Sequence, residues 1–233
     1  MHQSYRSVDA AHGKRRRHAN DNFCFTSLAI AKDELNAELE ITGADTGAHH
    51  FGWDNIQLTG RYSWTNDVVG DPVTIVTGLT LRRAWKQAVN DLSSFHHGRT
   101  EGEIHVAAGK EFVCEQFWMS RMWGLFAIGT ADKGSPWLRS SVNWECNWWD
   151  RHEVRLSVRG LCGLGGNGLN LNKPFRGYGP IRHRSLDFAV RYSYFVETLD
   201  GRCELEYSHR VYAKNFPKNA NCILATFHYA FGL

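Results

Sequence analysis

Residues 221–233 read NCILATFHYAFGL. Ile223, Ala225, Phe227, Tyr229, Phe231 and Leu233 are apolar, and Leu224, Thr226, His228, Ala230 and Gly232 lie between them. A period of two places alternate side chains on opposite faces of a β-strand, whereas a helix repeats every three to four residues. Chain ends usually fray. An aromatic, strictly alternating end instead implies a strand that is paired and has one face out of water.

The same alternation recurs along the chain. In ELNAELEIT, Leu35, Ala37, Leu39 and Ile41 oppose Asn36, Glu38, Glu40 and Thr42. In NIQLTGRYSW, Ile56, Leu58, Gly60, Tyr62 and Trp64 oppose Gln57, Thr59, Arg61 and Ser63. Further alternating segments lie near 73–82, 103–110, 138–147, 153–159, 185–194 and 202–211. With 23–31 and 116–130 the count reaches eleven strands; discarding 23–31 leaves ten. Segment 116–130 is apolar on both faces apart from Arg121, which implies either a bulge or a dry inner patch. Most segments exceed the five or six residues usual in soluble sheets and suit the roughly 9–11 of a tilted membrane strand. Residues 80–92 have room for a turn or two of helix within a loop.

Composition fits this reading. The 233 residues include 22 Gly, 5 Pro and nine Trp, with 13% aromatic residues, a mix suited to many turns and bulky strand faces. A net charge of +3 gives no basis for nucleic-acid binding. The run GKRRRH at 13–18 reads as a solvated tail, so 1–22 is expected to be a disordered or wrongly assigned leader segment, and 23–233 one β-domain. The most apolar run, MWGLFAIGTA at 122–131, is half the length of a membrane helix. Mean hydropathy is −0.42, but a membrane barrel averages lipid-facing and lumen-facing residues and so reads as polar. Residues 1–20 hold no apolar secretory core, so an export signal is expected upstream.

Connections alternate in length. Long ones are expected at 43–54, 84–101, 165–183 and 214–220. Short ones are expected at 32–34, 66–72, 113–115, 149–152 and 198–201, with 131–135 intermediate. Charges gather on one set of faces: Arg61, Arg139, Arg155, Arg159, Arg191 and Arg210 with Glu145, Asp187, Glu204 and Glu206. Aromatics close every second strand: Trp64, Phe112, Trp148 and Trp149, Tyr194 and Phe195, then Phe231. Short turns at one end, aromatic girdles and charge kept off one face are features of transmembrane β-barrels.

The ending ILATFHYAFGL resembles the C-terminal assembly signal of Gram-negative outer-membrane β-barrel proteins, with Phe227, Tyr229, Phe231 and Leu233 as the signal positions. Leu233 stands where a terminal Phe is commoner. The resemblance implies an all-β, antiparallel up-and-down barrel in the outer membrane, with lipid and the barrel-assembly machinery as partners. A periplasmic C-terminus with eleven strands implies a twelfth strand upstream, because such barrels have even strand numbers. The functional expectation is a porin-like channel, or a structural envelope barrel, whose charged residues line the lumen and meet small anionic solutes.

Two alternatives are an outer-membrane lipid-modifying enzyme or an autotransporter translocator; a third is a soluble lipocalin-like barrel. For the enzyme, His209 faces outward, but the outward faces of 185–195 and 223–233 offer no Ser or Asn. No catalytic residue, metal or cofactor is expected. The six cysteines show no CxxC spacing, and Cys114, in a predicted short turn, is the candidate for a disulfide to an envelope partner. The His pairs at 49–50 and 96–97 fall in predicted loops without a third ligand nearby. The run GLGGNGLNLN at 163–172 reads as a flexible outer loop.

Overall fold

The computed structural model describes residues 7–9, 14–16, 21–46, 49–113, 118–149 and 151–230. Eleven long strands form one sheet: β1 (Asn22–Lys32), β2 (Leu35–Thr46), β3 (His49–Thr65), β4 (Thr74–Ala84), β5 (Thr100–Val113) and β6 (Trp118–Ala131). They continue with β7 (Trp137–Trp148), β8 (His152–Gly163), β9 (Arg184–Val196), β10 (Gly201–Lys214) and β11 (Asn221–Tyr229). Each pairs antiparallel with its sequence neighbours, so the sheet is an uninterrupted meander from β1 to β11. Two three-residue strands within 1–22, Ser7–Asp9 and Lys14–Arg16, form a small separate sheet with Pro217–Lys218.

The sheet curls. Side chains from strands that are not neighbours meet on its inner side: Arg159 of β8 reaches Glu206 of β10 at 2.7 Å, and Arg202 of β10 reaches Glu153 of β8 at 2.8 Å. Such contacts skip β9 and exist only where a sheet is concave. The convex face is apolar and uncovered, with Leu58, Leu79, Ile104, Val142, Val190 and Leu205 all about half exposed or more. An exposed apolar surface this continuous suits hydrocarbon and not water. That arrangement, charge inside and grease outside, is the reverse of a lipocalin-like barrel.

Curling brings β1 and β11 face to face. They are the two ends of the sheet order, and residues 23–29 and 223–230 line a slot of about 590 Å³ between them.

The connections separate by length only in part. Residues 33–34, 66–73 and 197–200 connect strands at one end, two of them tightened by 3-10 helices at Asp67–Val69 and Glu197–Leu199. At the other end stand 85–99, which contains α1 (Lys86–Val89), then 132–136, 164–183 and 215–220. One departure is 66–73, which is longer than 132–136 and 215–220; most of the expected short turn at 113–115 and part of that at 149–152 lie outside the described residues. The other departure is 43–54. It is paired backbone and not a loop: Gly43 faces Trp53 and Thr46 faces His49, across register shifts at Thr42/Gly43 and Ala44/Thr46. Those irregularities break the alternation from which a strand is read. His50 therefore sits in β3. Segment 118–131 pairs without any register shift, so it holds no bulge, and Trp123, Leu125, Ala127 and Gly129 make its inner face apolar beside Arg121.

Val142→Arg, at the middle of the convex face, should cost about 2–4 kcal/mol. Ser141→Arg, one residue away on the concave face, should cost far less. Urea unfolding of the protein refolded into lipid vesicles measures both; equal losses would mean that the convex face does not meet hydrocarbon.

Candidate functional site: the concave face and its long-loop mouth

Pairing puts the charged residues in rows. Glu111, Arg121, Glu145, Arg155, Arg191 and Glu206 face one another across successive strands β5 to β10. Ion pairs tie them together. Arg155 holds Glu145 at 2.7 Å and Glu153 at 3.2 Å, and Arg191 holds Glu204 at 2.8 Å and Glu206 at 2.9 Å. Arg210 grips Asp187 through two hydrogen bonds, at 2.6 and 2.9 Å, and Arg61 binds Glu38 and Asn36, both at 2.9 Å. Arg139 pairs with Glu103 of β5, two strands away.

These charged residues share the concave face, where they form several separate ion-paired groups: Arg61 with Glu38, Arg139 with Glu103, Arg210 with Asp187, a set around Arg155 and Glu153, and a set around Arg191 and Glu206. Glu206 is buried while Arg159 keeps over a third of its side chain exposed, whereas in the Arg210–Asp187 pair the guanidinium is the deeper partner. Charged hydrogen bonds of this kind contribute about 1.5–3 kcal/mol each, and a deep carboxylate left alone costs more than that.

Arg121 is different. Among the described residues it forms no ion pair, and its Nε is buried without a hydrogen-bond partner. It lines a cavity of about 300 Å³ with Trp123, Glu145, Arg155, Thr74 and Gly109.

Of the girdle aromatics, Trp64, Phe112, Trp149 and Tyr194 are exposed at the short-turn end. Trp64 packs edge-on against Tyr62 at 4.8 Å and donates Nε1–H to Thr77 at 2.9 Å. Trp148 stacks parallel on His152 at 5.7 Å. Phe195 is a correction. It stands opposite Arg202, whose guanidinium holds Glu153 inside, so it points into the concave face, because neighbours along a strand alternate and Tyr194 points out. Phe227 and Tyr229 are exposed on β11. Phe231, Leu233 and Cys114 lie outside the described residues; among the described residues Cys24, Cys162 and Cys203 are free thiols.

The outward His209 does have an amide neighbour. Its Nδ1 lies 2.8 Å from Asn221 Oδ1, which also accepts from Tyr207. Asn221 opens β11, two residues before the 223–233 stretch.

The long-loop mouth is where the sequence was least informative. Loops 85–99 and 164–183 pack together over a cluster of Leu169, Tyr178, Ile181, Ala213 and Phe216, with Phe95, Leu161 and Phe175 against it. The glycine-rich run is therefore ordered by burial of Leu169 and by the Asn167–Ile181 bridge. The loops are strapped backbone to backbone: Tyr178 N donates to His96 O at 2.8 Å and Gly179 N to His97 O at 3.0 Å.

Below them a buried polar cluster joins the mouth to the strands. His96 Nε2 lies 2.7 Å from Asp54 and its Nδ1 3.7 Å from Glu101. Glu101 also takes the backbone N–H of His97 and binds Arg82 at 3.0 Å. Burial disfavours a charged His96, but Asp54 and Glu101 outweigh it and raise its pKa. For His97 burial wins and pushes the imidazole down to about 3. Its ring stacks on Trp137 at 3.8 Å, and Gly129 leaves room for that indole, since a Cβ there would lie 2.2 Å from it. Beneath, a cavity of about 410 Å³ is lined by Arg82, His97, Glu103, His105, Trp137 and Arg139 among others. Asp54, His96, His97, Glu101 and His183 were not singled out as a site from sequence; the doublet in FHHG was the one visible sign. Among the described residues no group of three or more ligating side chains could hold a metal ion.

No protein-family model matches the chain, and no curated protein does. Solved structures with the same fold exist. The chain is similar to the NanC porin, with a TM-score of 0.57 at 11% identity, covering 99% of this chain and 98% of that one. It is similar to an outer membrane channel from Pseudomonas putida F1, with a TM-score of 0.62 at 11% identity, covering 97% and 92%. The fold is that of an outer-membrane β-barrel.

Glu206→Gln should break the charge pairing of both Arg159 and Arg191. Thermal or urea unfolding should show a loss of about 1.5–3 kcal/mol. A loss under about 0.5 kcal/mol, within the range of an ordinary surface change, would mean that solvent already screens the network.

Proposed function

We propose that this chain is a porin-like channel of a bacterial outer membrane, in which the concave face is the aqueous path and small anionic solutes are the cargo. The observation that carries this is the division of the faces, with charge confined inside and an apolar belt outside, over a sheet that matches channels along nearly its whole length. Its selectivity is assigned to Arg121. The other arginines of the inner network have carboxylate partners and present little net charge to a solute, whereas Arg121 and the adjoining cavity are poised to draw an anion inward. Asymmetric fields of this kind steer ions through low-dielectric walls, and salt weakens them.

Recording from planar bilayers holding the refolded protein tests the proposal. Channel events with an anion-favouring reversal potential are expected, and Arg121→Glu should move that potential clearly towards cations. Absence of events at every voltage would leave a structural envelope barrel, its lumen closed by its own ion pairs. Unaltered selectivity in the variant would remove the role of Arg121.

A further inference from the structure

We propose that the His97–His183 contact is a proton-released latch that holds the two long loops across the mouth, and that protonating it frees them. The conductance readout of this idea rests on the channel reading above; the loop contacts themselves do not.

The two rings belong to different loops, and their Nε2 atoms lie 3.3 Å apart. Hydrogen-bond logic fixes the protons. His183 Nδ1 sits 3.1 Å from the Ile181 carbonyl, which can only accept, so that nitrogen carries a hydrogen. In a neutral ring the other nitrogen then offers a lone pair. His97 Nε2 must therefore donate to His183. The contact requires both rings to be neutral. A second proton on His183 leaves two N–H groups facing each other with nothing between them to accept. A second proton on His97 goes to Nδ1, whose nearest carboxylate, Glu101, is 3.9 Å away and already engaged by Arg82, His96 and two backbone N–H groups.

Glu101 offsets such a charge on His97 only in part, and burial outweighs it. On loop 85–99 itself, His96 is committed to Asp54 of β3. Arg82 of β4 adds positive charge, and on β5 Glu103 is taken by Arg139 of β7, with His105 next to it. On β10, Arg210 lies over the rings of Phe95 and Phe216, 5.4 and 4.5 Å from their centres, and is held by Asp187 of β9. His97 is sealed by Trp137, and His183 by Tyr178 and Phe216. The two strapping bonds, from Tyr178 and Gly179 to the carbonyls of His96 and His97, flank the pair. A Cβ at Gly179 would lie 2.7 Å from His97 O, so the loops meet as closely as backbone permits.

The direction follows from linkage. Burial lowers the proton affinity of both His97 and His183 in the packed loops. Released loops bind protons with the ordinary value near 6.5. As pH falls below that towards about 3, release is favoured about tenfold per pH unit through His97, and His183 adds to it in the same direction. His96 has the opposite sign: its raised pKa makes acid favour the packed state, so it opposes release and can only reduce the acid response, not produce it.

Amide hydrogen exchange at Tyr178 and Gly179 in the refolded protein, corrected for intrinsic rates, at about pH 7.5 and about pH 4.5, reads the latch directly. Conductance at the same two values reads its consequence, and heat-modifiable migration in detergent gels confirms a folded barrel. Protection at both amides should fall at least about tenfold in acid, and conductance should rise. His97→Gln with His183→Gln keeps an amide in place of each ring but cannot charge, and should lose the acid response, while His50→Gln should keep it. Acid-insensitive protection in the parent protein overturns the latch, whatever the variants do. An acid response undiminished in a folded double variant overturns it as well. Acid-sensitive protection without channel events at either pH supports the latch and rejects the channel reading; pH-independent conductance with unchanged protection does the reverse.

Discussion

The structure depends on one constraint: a sheet that crosses hydrocarbon must satisfy its backbone laterally, because no water is present to do so. Lateral pairing fixes extended strands, extended strands fix a period of two, and the period gives every strand two chemically opposite faces. Curling then decides which face is which. The inner side shortens distances between strands that are not neighbours, so Arg159 can reach Glu206 across β9, and Arg139 can reach Glu103 across β6. These contacts in turn hold the curvature. The same constraint bears on the slot between β1 and β11. In an antiparallel meander the first and eleventh strands run in the same direction, so direct closure would make a single parallel seam. A strand running opposite to both would pair with each, the geometry that an even strand number provides.

Charge inside such a sheet is structural before it is functional. Carboxylates as deep as those of Glu153 and Glu206 are tolerable only beside guanidiniums, and each of these two holds two of them. An arginine-lined lumen is therefore not automatically an anion path; pairing removes most of its field. On the proposed anion path what counts is a guanidinium outside those pairs, and β6 carries one in Arg121, because Trp123, Leu125, Ala127 and Gly129 bring no acid to the same face of that strand.

The sheet was legible in the sequence because its constraint is periodic. The strands and the faces of the charged residues follow from alternation, while turn length sorted the two ends only in part, since 66–73 is longer than 132–136 and 215–220. Phe195 failed because an aromatic girdle was read by position along the strand and not by parity; Tyr194 and Phe195 cannot both face lipid. Segment 43–54 failed because its register shifts hide pairing that continues past the alternating part. The mouth was invisible for a different reason. His97 and His183 stand 86 residues apart, and nothing periodic relates them. Loop packing depends on which apolar side chains happen to meet, so the glycine-rich run looked mobile although Leu169, within it, is fully buried.

The two ends of the path are consequently held by different physics. The inner network is made of guanidiniums and carboxylates, whose charges persist through mild acid and are weakened by salt. The mouth is held by apolar side chains, backbone straps and a pair of neutral rings, which salt leaves untouched and protons do not. On the proposed latch the mouth can change without loosening the barrel, because His97 and His183 join two loops and take part in none of the cross-strand ion pairs. That separation follows from where each kind of residue can go: long charged side chains need the wide, wet, concave wall, while imidazoles stripped of water need a packed loop. The sheet supplies the first environment by its curvature and the second only where its connections are long enough to fold back over it.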